Sequence, residues 1–209
     1  MDSKASEASI GSCDYAVAAE VIKNGGIVAF PTETYYGLAA DPFNPKTLAR
    51  LFQIKKRNQD KPILTLIQQT SQLALLTDEI PVLFRPLMRD FWPGPVTMIF
   101  PCHPHLSELL TGGTKTIGIR ISSHPMAMLL GQEVERPITA TSANISGCPA
   151  AVTAQEVRLQ LGGSVDLIID GGPTPGGCGS TIVSQMDGRL TLVRPGVIPF
   201  AKLLSRSGG

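Results

Sequence analysis

Two rhythms of apolar and polar positions alternate along the chain, one helical and one strand-like. Residues 13–24 read as a helix, with Ser12 as N-cap, Asp14 in the first turn and Gly25-Gly26 as the stop. The short apolar run 27–30, ended by Pro31, reads as a buried strand. Asn44-Pro45 pairs a capping residue with a proline at the first helical position. The helix it opens sets Leu48, Leu51 and Phe52 on one face and runs into Lys55-Lys56-Arg57. Further strands are predicted over 63–67, 96–100, 116–121, 137–141 and 165–169, and a helix over 79–91 interrupted at Pro86. His124 before Pro125 suits a helix cap, and Thr153 with Glu156 forms a capping box for a helix over 153–161. Strands 180–183 and 190–193 make a hairpin around Asp187-Gly188, and a short helix covers 199–205. The alternation predicts a mixed α/β domain.

The connections are as informative as the elements. Segments 31–41, 92–95, 111–114, 141–149 and 170–181 are rich in Gly, Pro, Ser and Thr. Ligands in α/β folds bind where loops leave strand ends, so a cleft is expected among these segments.

Composition narrows the class. The 209 residues, 43% hydrophobic and 17% charged, suit a globular protein with one substantial core. A net charge of +1 offers no bulk attraction for nucleic acid or a membrane, so any affinity for anions must come from local clusters of Lys and Arg. No apolar run approaches the ~20 residues that span a bilayer. Residues 1–12 lack the basic-then-apolar order of a secretory signal and are expected to be a flexible leader ahead of one domain over 13–205. Four widely spaced cysteines without a CxxC pair point to reduced thiols in a cytoplasmic protein. With three histidines, they make a poor inventory for a metal site. No G-x-S-x-G, H-E-x-x-H, G-x-G-x-x-G or P-loop pattern is present.

Five segments carry candidate chemistry, each with a plain structural alternative. Thr32-Glu33-Thr34, after a buried strand, can bind a small zwitterion or simply cap a turn. Lys55-Lys56-Arg57, with Lys61 nearby, can contact triphosphate oxygens or only complement a helix dipole. Thr141-Ser142-Ala143-Asn144 can bind phosphate or ribose, or form a polar turn. Arg120, at the end of the strand that starts at Thr116, needs a carboxylate partner, from a substrate or from an internal acid. The glycine-rich stretch 170–181, containing Ser180, offers backbone N–H groups to anions or is a plain loop, and Arg194 adds a cation after the last strand.

Taken in order, Gly25 to Leu38, Lys55-x-Arg57, Trp92-Pro93-Gly94-Pro95-Val96-Thr97, Gly118-Ile119-Arg120, Ser142 to Gly147, Ile169 to Gly172, Gly179 to Val183 and Arg194-Pro195-Gly196 resemble the YrdC/Sua5 family of threonylcarbamoyl-AMP synthases. The resemblance implies an α/β fold, a twisted mixed sheet flanked by helices around a deep basic cleft, in its single-domain form. It implies ATP contacts at Lys55, Arg57, Thr116, Ser142, Asn144 and Arg194, with Lys55, Arg57, Ser142 and Asn144 as the catalytic set. It implies threonine contacts at Thr32, Thr34, Lys61, Arg120, Thr141 and Ser180. One position departs from the pattern: Gln68 stands where some members have a histidine that helps to hold threonine.

The implied reaction joins L-threonine, bicarbonate and ATP, with Mg²⁺ bound through ATP rather than through protein side chains. The adenylate would pass to a downstream tRNA threonylcarbamoyl transferase, for modification of tRNA position 37. Two rivals stand beside this reading. One is a double-stranded RNA-binding module that contacts tRNA without chemistry. The other is a carbamoyl-adenylate enzyme serving hydrogenase maturation.

Overall fold

The computed structural model describes residues 12–207. The expected leader therefore lies, through residue 11, outside the described residues, and Ser12 opens the first helix instead of capping it. In chain order the elements are α1 (Ser12–Lys23), β1 (Val28–Pro31), β2 (Tyr36–Ala39), α2 (Pro45–Lys55), β3 (Thr65–Leu66), α3 (Phe84–Phe91), β4 (Val96–Pro101), α4 (Glu108–Thr111), β5 (Thr116–Arg120), α5 (Pro125–Val134), β6 (Ile138–Thr139), β7 (Thr141–Ser142), α6 (Ala154–Leu161), β8 (Leu167–Ile168), β9 (Thr181–Met186), β10 (Arg189–Arg194) and α7 (Phe200–Leu204).

Several ends follow from local chemistry. The Asn44 side chain accepts hydrogen bonds from the N–H groups of Lys46 and Thr47, and Pro45 opens α2. At α6, Thr153 Oγ1 accepts from the Glu156 N–H while Glu156 Oε2 accepts from Val152, one residue before the cap. The β9–β10 hairpin turns through Asp187 and Gly188, at φ 49° and 73°. Positive φ at both central residues matches the right-handed twist of the flanking strands. Pro86 does not interrupt α3: it is the third residue, where a helix has no internal partner for the N–H that proline lacks. Residues 79–83, predicted helical, lie outside it. Within 31–41, expected as loop, β2 forms and pairs antiparallel with β1.

The expected mixed α/β fold with flanking helices is present, its strands divided between two mixed sheets, in orders β7-β2-β1-β8 and β10-β9-β4-β5-β3-β6. The reason lies in 137–141, predicted as one strand. Ile138 and Thr139 pair with β3, whereas Thr141 and Ser142 pair with β2. Between them the Ala140 N–H reaches the carbonyl of Leu64, and the Thr139 hydroxyl donates to the carbonyl of Leu38. The strand thus changes sheets at Ala140, and its hydrogen bonds stitch the two together. β1 is buried on both faces: Ala29 joins the larger core with Tyr36, Leu48 and Val96, while Val28 and Phe30 face Ala18, Ile22 and Leu130 of α1 and α5. The functional side chains considered next project from this seam.

Candidate active site

A cavity of about 670 Å³ opens at the seam between the sheets. Ten of the twelve residues singled out from the sequence line it: Thr32 and Thr34 from the β1–β2 turn, Arg57 and Lys61 beyond α2, Thr116 and Arg120 from β5, Thr141 and Ser142 from β7, Ser180 from the glycine loop, and Arg194 from β10. Lys55 and Asn144 are not in the lining. Four of the lining side chains are cations and none is a carboxylate.

The end of α2 separates Lys55 from Arg57. Lys56 caps the helix in the left-handed conformation, at φ 47°. Lys55 turns inward and is buried, with its ammonium donating to the carbonyl of Ser142, to the carbonyl of Asn144 at 2.9 Å and to Asn144 Oδ1 at 3.3 Å. Burial, and then the charge of Arg57, push Lys55 down to about 7. Three oxygen acceptors match the three N–H bonds of an ammonium and oppose that shift. Asn144 is equally committed. Its Oδ1 accepts from Ser142 Oγ at 2.6 Å and from Lys55, and its Nδ2 donates to the carbonyls of Ile145 and Cys148. Both donors and both acceptor sites of the amide are used within the protein. Lys55 and Asn144, both expected at the nucleotide, thus form a polar bracket behind Ser142 and lie outside the lining.

Arg57 faces the other way. It is half-buried, donates from Nη2 to the Pro62 carbonyl at 3.0 Å, and has a buried Nε with no acceptor among the described residues. Burial lowers its pKa, and Asp60 acts in the opposite sense.

Arg120 is 6% exposed at the end of β5 and pairs with Glu33 at 3.0 Å. The internal acid weighed against a substrate carboxylate is thus present, while Arg120 is still among the lining residues. Burial lowers its pKa, Glu33 raises it and Arg194 lowers it. Arg194 donates from Nη2 to the backbone oxygen of Ser180 at 2.8 Å and to its hydroxyl at 3.3 Å. That hydroxyl also lies 2.8 Å from Thr97 Oγ1. The Thr32 and Thr34 hydroxyls are 3.1 Å apart.

The glycine loop is held over the cavity by the buried Tyr36, whose hydroxyl donates to the Gly172 carbonyl at 2.7 Å and accepts from the Gly171 N–H. Gly176, at φ 65°, donates its N–H to the Thr34 carbonyl at 2.8 Å. At Gly196 an added Cβ would sit 2.3 Å from the Gly179 carbonyl oxygen, so close backbone approach excludes a side chain. Gln68 is absent from the lining and sits against Gly131 of α5. Sequence reasoning missed Tyr35, Ala150, Cys178, Ile182 and Val193 as wall residues. Tyr35, Cys178 and Ile182 lie within motifs named from the sequence, whereas Ala150 and Val193 do not, because a lone apolar wall residue carries no motif of its own. Among the described residues no group of three His, Cys, Asp or Glu could hold a metal ion.

Comparison with known proteins identifies the family. A family described as "Telomere recombination", Sua5/YciO/YrdC, matches residues 20–196. The threonylcarbamoyl-AMP synthase of Bacillus subtilis is 42% identical over 92% of this chain and 56% of its own. That of Coxiella burnetii is 38% identical over 75% of this chain and 86% of its own. The crystal structure of Pyrococcus abyssi Sua5 complexed with L-threonine superposes with a TM-score of 0.90 at 37% identity, covering 95% of this chain and 59% of that one. The chain thus spans little more than half the length of the B. subtilis and P. abyssi proteins. With the family match running from the last turns of α1 past β10, and relatives of this identity on both sides of the bacterial–archaeal divide, the chain belongs to the Sua5/YciO/YrdC family.

Proposed function

We propose that this chain condenses L-threonine, bicarbonate and ATP to threonylcarbamoyl-AMP and pyrophosphate. The observation that carries this reading is the single cavity in which Arg57, Lys61, Arg120, Arg194 and the hydroxyls of Thr32, Thr34, Thr141, Ser142 and Ser180 meet without a carboxylate. The threonine bound by the P. abyssi relative and the names of the curated relatives support it.

The amine of threonine takes up bicarbonate with loss of water to give a carbamate. A carbamate oxygen attacks the α-phosphorus of ATP, and the bond to the leaving pyrophosphate breaks. No enzyme nucleophile is required. The barrier is the approach of one anion to another, and preorganised cations in a partly desolvated cavity reduce it. Arg57, Lys61 and Arg194 are placed to offset phosphate charge. Arg57 lines the cavity, and the one hydrogen-bond acceptor its guanidinium meets among the described residues is the Pro62 carbonyl. Arg120 is placed to hold the amino-acid carboxylate, leaving the amine free to react. Ser142 lines the wall, and its hydroxyl, which donates to Asn144 Oδ1 in the ligand-free site, would turn its proton to an α-phosphate oxygen when ATP binds.

Mg²⁺ would be held by the phosphate oxygens of ATP, offsetting their charge, since the lining contains no carboxylate to ligate it. The labile product passes to a tRNA threonylcarbamoyl transferase in the cytoplasm. Among the described residues no helix is long and apolar enough to cross a membrane.

The test is incubation with labelled bicarbonate, threonine and ATP. Threonine-dependent pyrophosphate release and a labelled labile adenylate are expected, and neither product from the wild-type chain would overturn the reading.

A further inference from the structure

Of the four cavity cations, Arg120 alone has an ion-pair partner within 4.0 Å among the described residues. That partner, Glu33, does not line the cavity, and its side chain is 13% exposed. It is held from behind: Ser122 donates its hydroxyl to Glu33 Oε2, and the His124 N–H donates to Ser122 Oγ at 3.2 Å. Glu33 Oε1, although 3.0 Å from Arg120 Nη1, accepts no aligned hydrogen bond. Glu33 therefore offsets the charge of Arg120 without consuming its N–H donors, which stay available to a ligand. Arg194 is close enough for its charge to act on Arg120. Without Glu33 the two guanidiniums would form a doubly positive site.

Such a site would favour a dianion over a carboxylate, because Coulomb attraction scales with ligand charge and grows as water is excluded. Phosphate and pyrophosphate are the dianion and polyanion nearest at hand in a reaction that consumes ATP. With Glu33 in place, a zwitterionic amino acid adds no net charge to the Arg120 subsite, whereas phosphate adds two negative charges beside a fixed carboxylate.

We propose that Glu33 is a specificity-determining residue: by balancing Arg120 it makes that subsite accept the single carboxylate of an amino acid and refuse phosphate. The proposal rests on the reading of Arg120 as the carboxylate clamp. Glu33 touches no substrate and acts only through Arg120.

The experiment is calorimetric titration of wild type, Glu33→Gln and Glu33→Gln/Arg120→Gln with inorganic phosphate, and of the first two with L-threonine in the presence and absence of phosphate. Glu33→Gln should bind phosphate at least about tenfold tighter than wild type, as expected for removal of one nearby charge. Phosphate should then compete with threonine, and the gained affinity should vanish when Arg120→Gln is added. Unchanged phosphate affinity in Glu33→Gln, or a gain that survives in the double variant, would overturn the proposal. A general loss of packing would weaken threonine binding without creating an Arg120-dependent phosphate site. Should Glu33→Gln not fold, Ser122→Ala loosens the carboxylate while keeping its charge. It should gain phosphate affinity by about threefold, in keeping with a weakened ion pair, and no gain would overturn the proposal. The phosphate arm needs no threonine chemistry. A wild-type chain that takes up no threonine would sink the proposed function, while the phosphate arm still decides the effect of Glu33.

Discussion

Lys55 and Arg57 leave one helix end two residues apart, and they meet opposite surroundings. Lys55 is 1% exposed under the Ser142–Asn144 turn, with three oxygens around its ammonium. Arg57 lines the open cavity with a buried nitrogen unmatched. The left-handed Lys56 between them makes this possible, because it reverses the chain and sends the two side chains to different sides of one wall. The bracket behind the wall satisfies its own polar groups and so stabilises. The cavity in front is lined by four cations and no carboxylate, which is why we assign it the anionic substrates. A run of basic residues thus divides into an enclosed side chain and one that lines the cavity.

The sharpest way to break the comparison is to remove each cation in turn. Arg57→Ala should lower threonine-dependent pyrophosphate release by at least about a hundredfold, as for loss of an electrostatic donor at developing charge, while denaturant unfolding stays near wild type. Lys55→Ala should act first on stability. It strands two carbonyls and an amide oxygen and leaves a cavity, so an unfolding free energy lower by about 3 kcal/mol is expected from chemical denaturation. Equal effects of both changes on both measurements would erase the distinction.

A pH series sharpens it further. Folding lowers Lys55 from its ordinary 10.5 to about 7, so between those values the unfolded chain binds more protons than the folded one. The burial penalty is therefore fully present below about 7 and is relieved as pH rises toward 10.5. Stability should rise across that window by up to about 1.4 kcal/mol per pH unit. Lys55→Met should flatten this slope relative to wild type in matched denaturation curves. A slope that survives the substitution would mean the ammonium stays charged, as its three acceptors favour.

The smallest expected effect treats both cations alike. Asn44→Ala removes the cap at the far end of α2 and should cost about 1 kcal/mol of stability by thermal or chemical unfolding. Because the end of α2 that carries Lys55 and leads to Arg57 keeps its packing, substrate requirements should stay near wild type.

Much of this was legible along the chain. Asn44-Pro45, Thr153 with Glu156, and Asp187-Gly188 marked two helix starts and a hairpin, because caps and tight turns depend on residues a few positions apart. The clustering of hydroxyls, glycines and basic residues after strand ends marked candidate segments, and the family resemblance singled out the residues that meet in the cavity. Other features were not legible, because their partners are distant. The division of 137–141 between two sheets depends on β2 and β3, far earlier in the chain. The pairing of Arg120 with Glu33 joins the β1–β2 turn to the end of β5, with α2, α3 and α4 between them in the chain.

By itself, the sequence determined the local starts and stops and the inventory of cations and hydroxyls at the strand ends, because those choices rest on backbone sterics and neighbouring hydrogen bonds. Only the tertiary structure decided which cations face the cavity and which are enclosed or balanced, because the energy of a charge depends on the water removed from it and the acceptors brought to it. Those acceptors come from distant segments: Ser142 and Asn144 for Lys55, and Glu33 for Arg120.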